Sequence, residues 1–271
     1  MLHESAVGGV APSVNDGAIC MEHVSHLFPG GTRALDDVSI RVGSGEFTSI
    51  VGPSGCGKTT ALNLIAGLVT GQSGRISVAG RPPKAGRHDV AYMLARDSLF
   101  PWRTAMGNVM LSGEFRGVSR GDQESIAREF LGKVGLAGFE NSYPKALSHG
   151  MRQRVALART FSMKSSILLM DEPFGALDAQ TKMQLEDVLL KLYSSEQRSV
   201  LFITHDLNEA VTLSDRVIVM SARPGRILAD IPIDLPRPRS VRALQKDPHY
   251  HEIYAEVWSW LEQALLGNEV I

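Results

Sequence analysis

The sequence feature that constrains this chain most is a glycine-rich segment between a short apolar run and a run with helical periodicity. Residues 52–59 fit the pattern G-x-x-x-x-G-K-[ST] in full. Residues 50–51 are the apolar end of a strand, and residues 61–66 continue with helical spacing. Because the motif is specific only between a strand and a helix, its context predicts a nucleotide phosphate-binding loop rather than an ordinary glycine-rich turn.

The backbone of this loop explains why it should bind phosphate. Glycines lack a Cβ, so the loop can curl until successive N–H groups point at one anion, and the following helix adds its positive end. Lys58 is expected to reach the β- and γ-phosphates and to assist catalysis, and the Thr59 hydroxyl to complete a Mg²⁺ shell. The predicted nucleotide-binding residues of the loop are Gly52, Pro53, Ser54, Gly55, Cys56, Gly57, Lys58, Thr59 and Thr60.

A second group of candidate residues stands at the end of another apolar run. Residues 166–170 are typical of a buried parallel strand, and Asp171 and Glu172 follow them directly. Beside a phosphate loop, an Asp at a strand end can hold Mg²⁺, which leaves the adjacent Glu to polarise an attacking water. A solvated acidic turn is the alternative, and the upstream phosphate loop disfavours it. We therefore predict metal ligands at Thr59 and Asp171 and a catalytic base at Glu172.

Three other positions are candidates with open alternatives. His205 closes an apolar run at residues 199–204 and could hydrogen-bond a γ-phosphate or water, although a strand-end histidine alone is more often structural. Phe28 lies at the edge of a turn, where it either stacks on an adenine or is a buried strand-end residue. Ser148 is suited to cap the helix after it, which predicts a second helix N-terminus able to face an anion.

The order of the predicted elements indicates an α/β fold. Strands alternate with helices after the phosphate loop, which favours a mostly parallel sheet with its ligand at the carboxyl ends of the strands. Residues 18–27 and 34–42 predict an antiparallel hairpin ahead of this core, and residues 71–74 a turn. Residues 105–146 have helical spacings and predict a helical insert.

The two ends of the chain differ from this core. Residues 1–18 are small and polar and predict a flexible leader. Residues 231–271 predict a proline-rich connector followed by an amphipathic helix over residues 249–266. Two exposed-looking aromatics, Phe100 and Trp102, are either core anchors or part of a partner-binding surface.

Composition excludes several classes of function. The 28 basic and 29 acidic side chains leave a net charge of -1, which disfavours nucleic acid as a partner. Only two cysteines are present, so a disulfide framework is not expected and a reducing cytosolic setting is favoured. No apolar run approaches the ~20 residues that span a bilayer, so we expect a protein that sits on a membrane partner at most.

The motifs together resemble the nucleotide-binding subunit of ABC transporters over about residues 19–230. The similar segments are Walker A at residues 52–60, Walker B at 167–172, the family signature at 147–151, the D-loop at 176–178, the switch histidine at His205 and the adenine-stacking aromatic at Phe28. The resemblance implies a P-loop NTPase (RecA-like) fold: a mostly parallel core sheet, an antiparallel β subdomain and an inserted α-helical subdomain at about residues 100–155.

The resemblance also implies how such a chain works. Two subunits face each other head to tail, and each ATP lies between Walker A of one and the signature loop of the other, with Mg²⁺. Ser148, Gly150 and Asp178 are then nucleotide-binding residues, and Glu172, His205 and Lys58 are catalytic. The expected partners are a second ATP-binding subunit, an identical copy in the simplest case, membrane permease subunits and a solute-binding protein, at the cytoplasmic face of the membrane.

Residues 99–104, followed by Asn108 and Val109, resemble the nitrate/sulfonate/taurine type of importer ATPase. Two positions depart from the family pattern. Ala95 stands where the family's Q-loop has a glutamine that contacts Mg²⁺ and water, and His149 where the signature usually has a glycine.

These departures keep a second interpretation open, in which the chain binds ATP but has lost hydrolysis. A third is a soluble, non-transport ABC ATPase that acts on nucleic acid or ribosomes. The single cassette, the compact insert and the lack of a basic face disfavour it.

Overall fold

The computed structural model describes residues 18–175 and 177–266. The predicted leader at residues 1–18 lies outside the described residues except for its last position, and Ala176 of the predicted D-loop lies outside them too.

The strands are β1 (Ile19–Leu27), β2 (Arg33–Val42), β3 (Phe47–Val51), β4 (Gln72–Val78), β5 (Val90–Met93), β6 (Ile167–Asp171), β7 (Ser199–Ile203), β8 (Arg216–Met220) and β9 (Ile227–Pro232). The helices are α1 (Lys58–Ile65), α2 (Ala105–Phe115), α3 (Arg120–Lys133), α4 (His149–Ser162), α5 (Ala179–Glu196), α6 (Leu207–Leu213), α7 (Val241–Leu244) and α8 (Pro248–Leu266), with a 3₁₀ turn at Pro144–Ala146.

A small antiparallel sheet has the strand order β2-β1-β4. The predicted hairpin of its first two strands is confirmed. The turn predicted at residues 71–74 is wrong in part, because β4 already begins at Gln72, which pairs with His26 of β1. This pairing closes the small sheet around β1 and leaves the turn after Leu27 at its edge.

The larger sheet has the order β5-β6-β7-β3-β8-β9 and is parallel except for its last pair, β8 and β9. The predicted mostly parallel sheet is therefore confirmed. In register, Ile203 of β7 lies opposite both Ile50 of β3 and Asp171 of β6. The three strands thus end level with one another, so the segments that follow them meet at one edge of the sheet.

The inserted helices form a separate layer beside this sheet. α2, α3 and α4 pack on one another, and α4 also contacts β5 and α5. Their inner side chains, among them Phe130, Leu131 and Phe161, are fully buried in one cluster with Leu168 of the sheet. This shared core fixes the N-terminus of α4, which carries the predicted signature, relative to the sheet.

The C-terminal helix α8 packs on α6 and β8 through a stripe of buried residues that includes Tyr250, Ile253 and Val257. The Tyr250 hydroxyl donates to Asn208 Oδ1 of α6 at 3.1 Å. Among the described helices, none is both long and apolar enough to cross a membrane.

Candidate active site

The predicted functional residues of three segments meet at the carboxyl edge of the large sheet. The glycine-rich loop follows β3, the two acids end β6, and His205 follows β7. Since β7 lies between β3 and β6, these segments are neighbours in space although they are far apart in sequence.

The glycine-rich loop wraps around its own lysine. Lys58 is 6% exposed, and its Nζ donates to the carbonyl oxygens of Gly52 at 2.7 Å and Pro53 at 3.0 Å. Gly55 and Gly57 have φ of 76° and 107°, in the region that favours glycine. The loop is thus closed around a buried cation.

Cys56 is a buried filler of this loop rather than a reactive group. It is 1% exposed, and burial raises the pKa of its thiol, with the nearby Lys58 opposing. A thiol with a raised pKa is a poor nucleophile at neutral pH.

The side chains of Thr59 and Asp171 converge at one point. The Thr59 hydroxyl donates to Asp171 Oδ1 at 3.2 Å. Burial raises the pKa of Asp171, the hydrogen bond from Thr59 lowers it, and the charge of Glu172 raises it again. A hydroxyl and a carboxylate are oxygen donors of the kind Mg²⁺ prefers, and a cation would offset the cost of burying this carboxylate. The residues therefore fit a magnesium ion.

Glu172 and His205 form a pair at the same edge. Glu172 Oε2 and His205 Nδ1 lie 3.0 Å apart, and both side chains are partly exposed. Glu172 has φ of 46°, which is uncommon for a residue other than glycine and turns the chain sharply after β6. The carboxylate is thereby accessible from the cavity beside the glycine-rich loop.

That cavity has a volume of about 370 Å³, and residues of the glycine-rich loop meet Phe28 and Glu172 around it. It is lined by Phe28, Thr32, Ala34, Ser54, Gly55, Gly57, Lys58, Thr59, Thr60, Glu172 and Arg223. Phe28 is 38% exposed, so of its two alternatives the structure shows the ring at the cavity rather than buried. The side chain of His26 packs edge-on against it at 4.6 Å between ring centroids.

Sequence reasoning missed three residues that line this cavity, Thr32, Ala34 and Arg223, and also Gly225 beside it. Arg223 Nε donates to the carbonyl of Gly55 at 3.1 Å. A Cβ on Gly225 would clash with the carbonyl oxygen of Cys56 and lie 2.6 Å from Met220 Cε. The signal was the proline-glycine turn between β8 and β9, but only the strand order places that turn beside the glycine-rich loop.

The predicted signature and D-loop residues form a second group. Ser148 caps α4 by accepting a hydrogen bond from Met151 N at 3.2 Å, and Asp178 caps α5 by accepting one from Thr181 N at 3.0 Å. A Cβ on Gly150 would lie 2.5 Å from Thr181 Cγ2, so the two helix starts are in contact. Ser148, Gly150 and Asp178 do not line the cavity described above.

The segment after Ala95 is bonded to the helical insert. Asp97 Oδ2 accepts a hydrogen bond from Arg152 Nε at 2.9 Å, and Arg159 donates to the carbonyls of Asp97 and Ser98, each at 2.9 Å. Both arginines belong to α4. Ala95 itself brings no polar side chain, and His149 is exposed at the start of the same helix.

A buried acidic cluster lies behind His205. Lys182 of α5 pairs with Asp206 at 2.8 Å and with Glu209 at 2.9 Å. Glu186, one helical turn after Lys182, is 3% exposed. Burial first, and then the charges of Glu209 and Asp206, raise its pKa to about 8 against the opposing charge of Lys182.

This raised pKa predicts a pH-dependent cost in stability. In the unfolded chain Glu186 ionises near its ordinary pKa, whereas in the folded chain it stays protonated up to about pH 8. The free energy of unfolding should therefore fall as the pH rises from about 5 to 8. Between pH 5 and pH 8, we expect the free energy of unfolding of Glu186→Gln to fall by on the order of 3 kcal/mol less than that of wild type. Urea unfolding of wild type and of Glu186→Gln at pH 5 and pH 8 measures this effect. If the two proteins differed in free energy of unfolding by the same amount at both pH values, the assignment would be contradicted.

Comparisons with known proteins agree with this geometry. Residues 35–175 match the family model described as "ABC transporter". A putative ATP-binding protein of Brucella abortus is 46% identical over 229 residues, which cover 84% of this chain and 88% of that protein. The taurine import ATP-binding protein TauB of Escherichia coli is 41% identical over 236 residues, 85% of this chain and 92% of that protein.

A solved structure is similar over the same region. The ATP-binding cassette MJ0796, whose dimeric structure was determined in a post-hydrolysis state with ADP and Pi, has a TM-score of 0.71 and 29% identity. The match covers 80% of this chain and all of that one. With its fold, its glycine-rich loop and these relatives in agreement, the chain belongs to the ABC transporter family, as one of its ATP-binding and ATP-hydrolysing subunits.

Proposed function

We propose that this chain powers an ABC importer as a pair of identical copies, which enclose two ATP molecules and drive a membrane permease. The proposal is supported by the separation of two groups of predicted nucleotide-binding residues within one chain. The cavity holds Lys58, Glu172 and Phe28, whereas the helix start at Ser148 and Gly150 does not line it. A head-to-tail partner would supply the missing half of each site.

The chain's own residues divide the chemistry between them. Lys58 exchanges the carbonyls of Gly52 and Pro53 for the phosphates of ATP, and Phe28 stacks on the adenine. Glu172 accepts a proton from the attacking water, and His205, 3.0 Å away, holds the carboxylate in place and can reach the γ-phosphate. Mg²⁺ held by Thr59 and Asp171 would neutralise charge on the phosphates.

The second copy would complete the site with the N-terminus of α4. Backbone N–H groups at the start of this helix, with its positive end, stabilise the charge that develops on the γ-phosphate. Gly150 is suited to this position because Thr181 leaves no room for a side chain there. Asp178 would hold the start of α5 at the same interface.

The permease would bind in a groove between the core and the helical insert. A cavity of about 570 Å³ lies there, bordered by the exposed side chains of Leu68 (58%) and Phe115 (77%) together with Met163 and Arg116. Trp102, 70% exposed and tilted against Phe100 with 5.1 Å between the ring centroids, lies on the same insert. Leu68 and Phe115 border one groove, and a contiguous exposed apolar patch is typical of a protein interaction site.

We expect Phe115→Glu to prevent the chain from co-purifying with its permease, because a charge would have to be buried in an apolar contact. ATP binding by the separate chain should not change. Phe139→Glu is the matched control, since Phe139 is also an exposed aromatic of the insert (43%) but does not border the groove. Retention of the permease by Phe115→Glu, or equal loss with Phe139→Glu, would contradict the assignment.

The chemistry of the imported solute is proposed from similarity alone. TauB of Escherichia coli is a taurine import protein by name, and residues 99–104 with Asn108 and Val109 of this chain resemble the nitrate/sulfonate/taurine type. We propose a solute of the nitrate, sulfonate or taurine kind, or a related small organic solute, delivered by a solute-binding protein, with this chain at the cytoplasmic face of the membrane.

A binding-only subunit is the second candidate, and Ala95 is the observation that favours it. An alanine cannot contact a metal or water as the family glutamine does. The close pairing of Glu172 with His205 and of Thr59 with Asp171 favours an active site instead. Hydrolysis by the purified chain decides between the two.

A further inference from the structure

Arg223 lies at the mouth of the nucleotide cavity with most of its hydrogen-bonding capacity unused. Its Nε donates to the carbonyl of Gly55 at 3.1 Å, and its side chain lines the cavity together with Phe28 and Lys58. Its two terminal nitrogens make no hydrogen bond or ion pair within the described part of the chain. The nearest acid of the cavity lining, Glu172, is paired with His205.

The turn that carries Arg223 is held firmly against the loop. Gly225 N donates to Ala34 O at 2.9 Å, and Gly225 O accepts from Asp36 N at 3.0 Å. The backbone of Gly225 touches the carbonyl of Cys56 so closely that no side chain fits between them. The turn is therefore fixed beside the glycine-rich loop, and the hydrogen bond from Nε to Gly55 O holds the Arg223 side chain at the cavity.

The Arg223 side chain is exposed at the cavity, so its guanidinium is available to an anion that enters there. Its planar array of donors matches phosphate oxygens, and charge-assisted hydrogen bonds of this kind are stronger than neutral ones. The neighbouring Lys58 is a point charge buried inside the loop, so it covers only the inner side of a bound phosphate chain. The outer side of the phosphate chain is then available to Arg223.

We propose that Arg223 binds the phosphate chain of the nucleotide from outside the glycine-rich loop and serves as a second cation of the site. The proposal rests on the cavity being the ATP site. The alternative is a purely structural role, in which Arg223 braces the loop through its bond to Gly55. The two roles differ in their need for charge, because a neutral donor can brace the loop but cannot attract phosphate.

The test is calorimetric titration of the full chain with a non-hydrolysable ATP analogue at low and high salt. We expect Arg223→Ala and Arg223→Gln to weaken binding by about tenfold at low salt, with a smaller difference at high salt. Arg223→Lys should keep part of the affinity. Arg242→Ala, which removes an exposed arginine of α7, is the matched control and should bind as wild type does.

Two results would overturn the proposal. One is wild-type affinity in both Arg223→Ala and Arg223→Gln. The other is weak binding by Arg223→Ala with wild-type affinity and salt dependence in Arg223→Gln, which would show that Arg223 only braces the loop. Lys58→Ala separates this failure from a failure of the ATP site itself. If Lys58→Ala loses binding and Arg223→Ala does not, only Arg223 is misassigned; if Lys58→Ala also binds normally, the cavity is not the ATP site.

Discussion

Replacing Glu172 with glutamine is expected to lower ATP hydrolysis by roughly 100-fold or more while ATP still binds. The amide keeps the size of the side chain and can still contact His205, but it cannot accept a proton from water. The contacts of Lys58 and of the glycine-rich loop do not involve Glu172, so affinity for ATP should stay near that of wild type. Phosphate release and calorimetric titration measure the two effects separately.

Glu256→Gln is the matched control, because Glu256 is an exposed acid of α8 remote from the cavity. It should hydrolyse ATP as wild type does. If Glu172→Gln retained wild-type turnover, Glu172 would not be the base. If wild type were as inert as Glu172→Gln and Ala95→Gln restored turnover, the binding-only interpretation would be correct.

Replacing Gly57 with alanine is expected to weaken ATP binding by about 100-fold and to lower the free energy of unfolding by roughly 1–3 kcal/mol. Gly57 has φ of 107°, and a Cβ there would lie 2.7 Å from both Ala34 O and Leu35 Cδ2. Those atoms belong to β2, which cannot move without disturbing the small sheet. The loop must therefore shift, and its N–H groups no longer converge on one phosphate.

Gly121→Ala is the matched control for this substitution. Gly121 lies in the first turn of α3, outside the positive-φ region, with no atom within 4 Å of a Cβ. Alanine there should leave ATP binding unchanged and increase stability slightly. Wild-type affinity in Gly57→Ala would contradict the need for glycine at this point of the loop.

The core of the site could be predicted from sequence because each part has a local signal. The loop around Lys58 has a specific spacing, and an apolar strand that ends in Asp171 and Glu172 has few other interpretations in an α/β protein. Parallel strands bring their carboxyl ends to one edge of a sheet, so the element order predicts that these segments and His205 lie at the same edge. The structure places the Phe28 ring partly exposed at the cavity, and its stacking on an adenine stays a prediction.

The other contacts of the site depend on the strand order and on tertiary packing, which local sequence patterns do not specify. Arg223 and Gly225 lie in the turn between β8 and β9, and they reach the glycine-rich loop only because β8 pairs with β3. The contact between Gly150 and Thr181 likewise joins two helix starts through tertiary packing. The turn predicted at residues 71–74 failed because pairing with β1 overrode the local preference of two glycines for a turn.

The most direct test of the account is whether ATP joins two copies of this chain through the start of α4. Glu172→Gln should bind ATP without consuming it, and sedimentation in the presence of ATP and Mg²⁺ should show its mass doubling. Adding Ser148→Arg, which places a bulky cation at that helix start, should keep the chain monomeric while ATP still binds. If Glu172→Gln remains monomeric with ATP bound, or if Ser148→Arg does not prevent the dimer, the composite site proposed here is wrong.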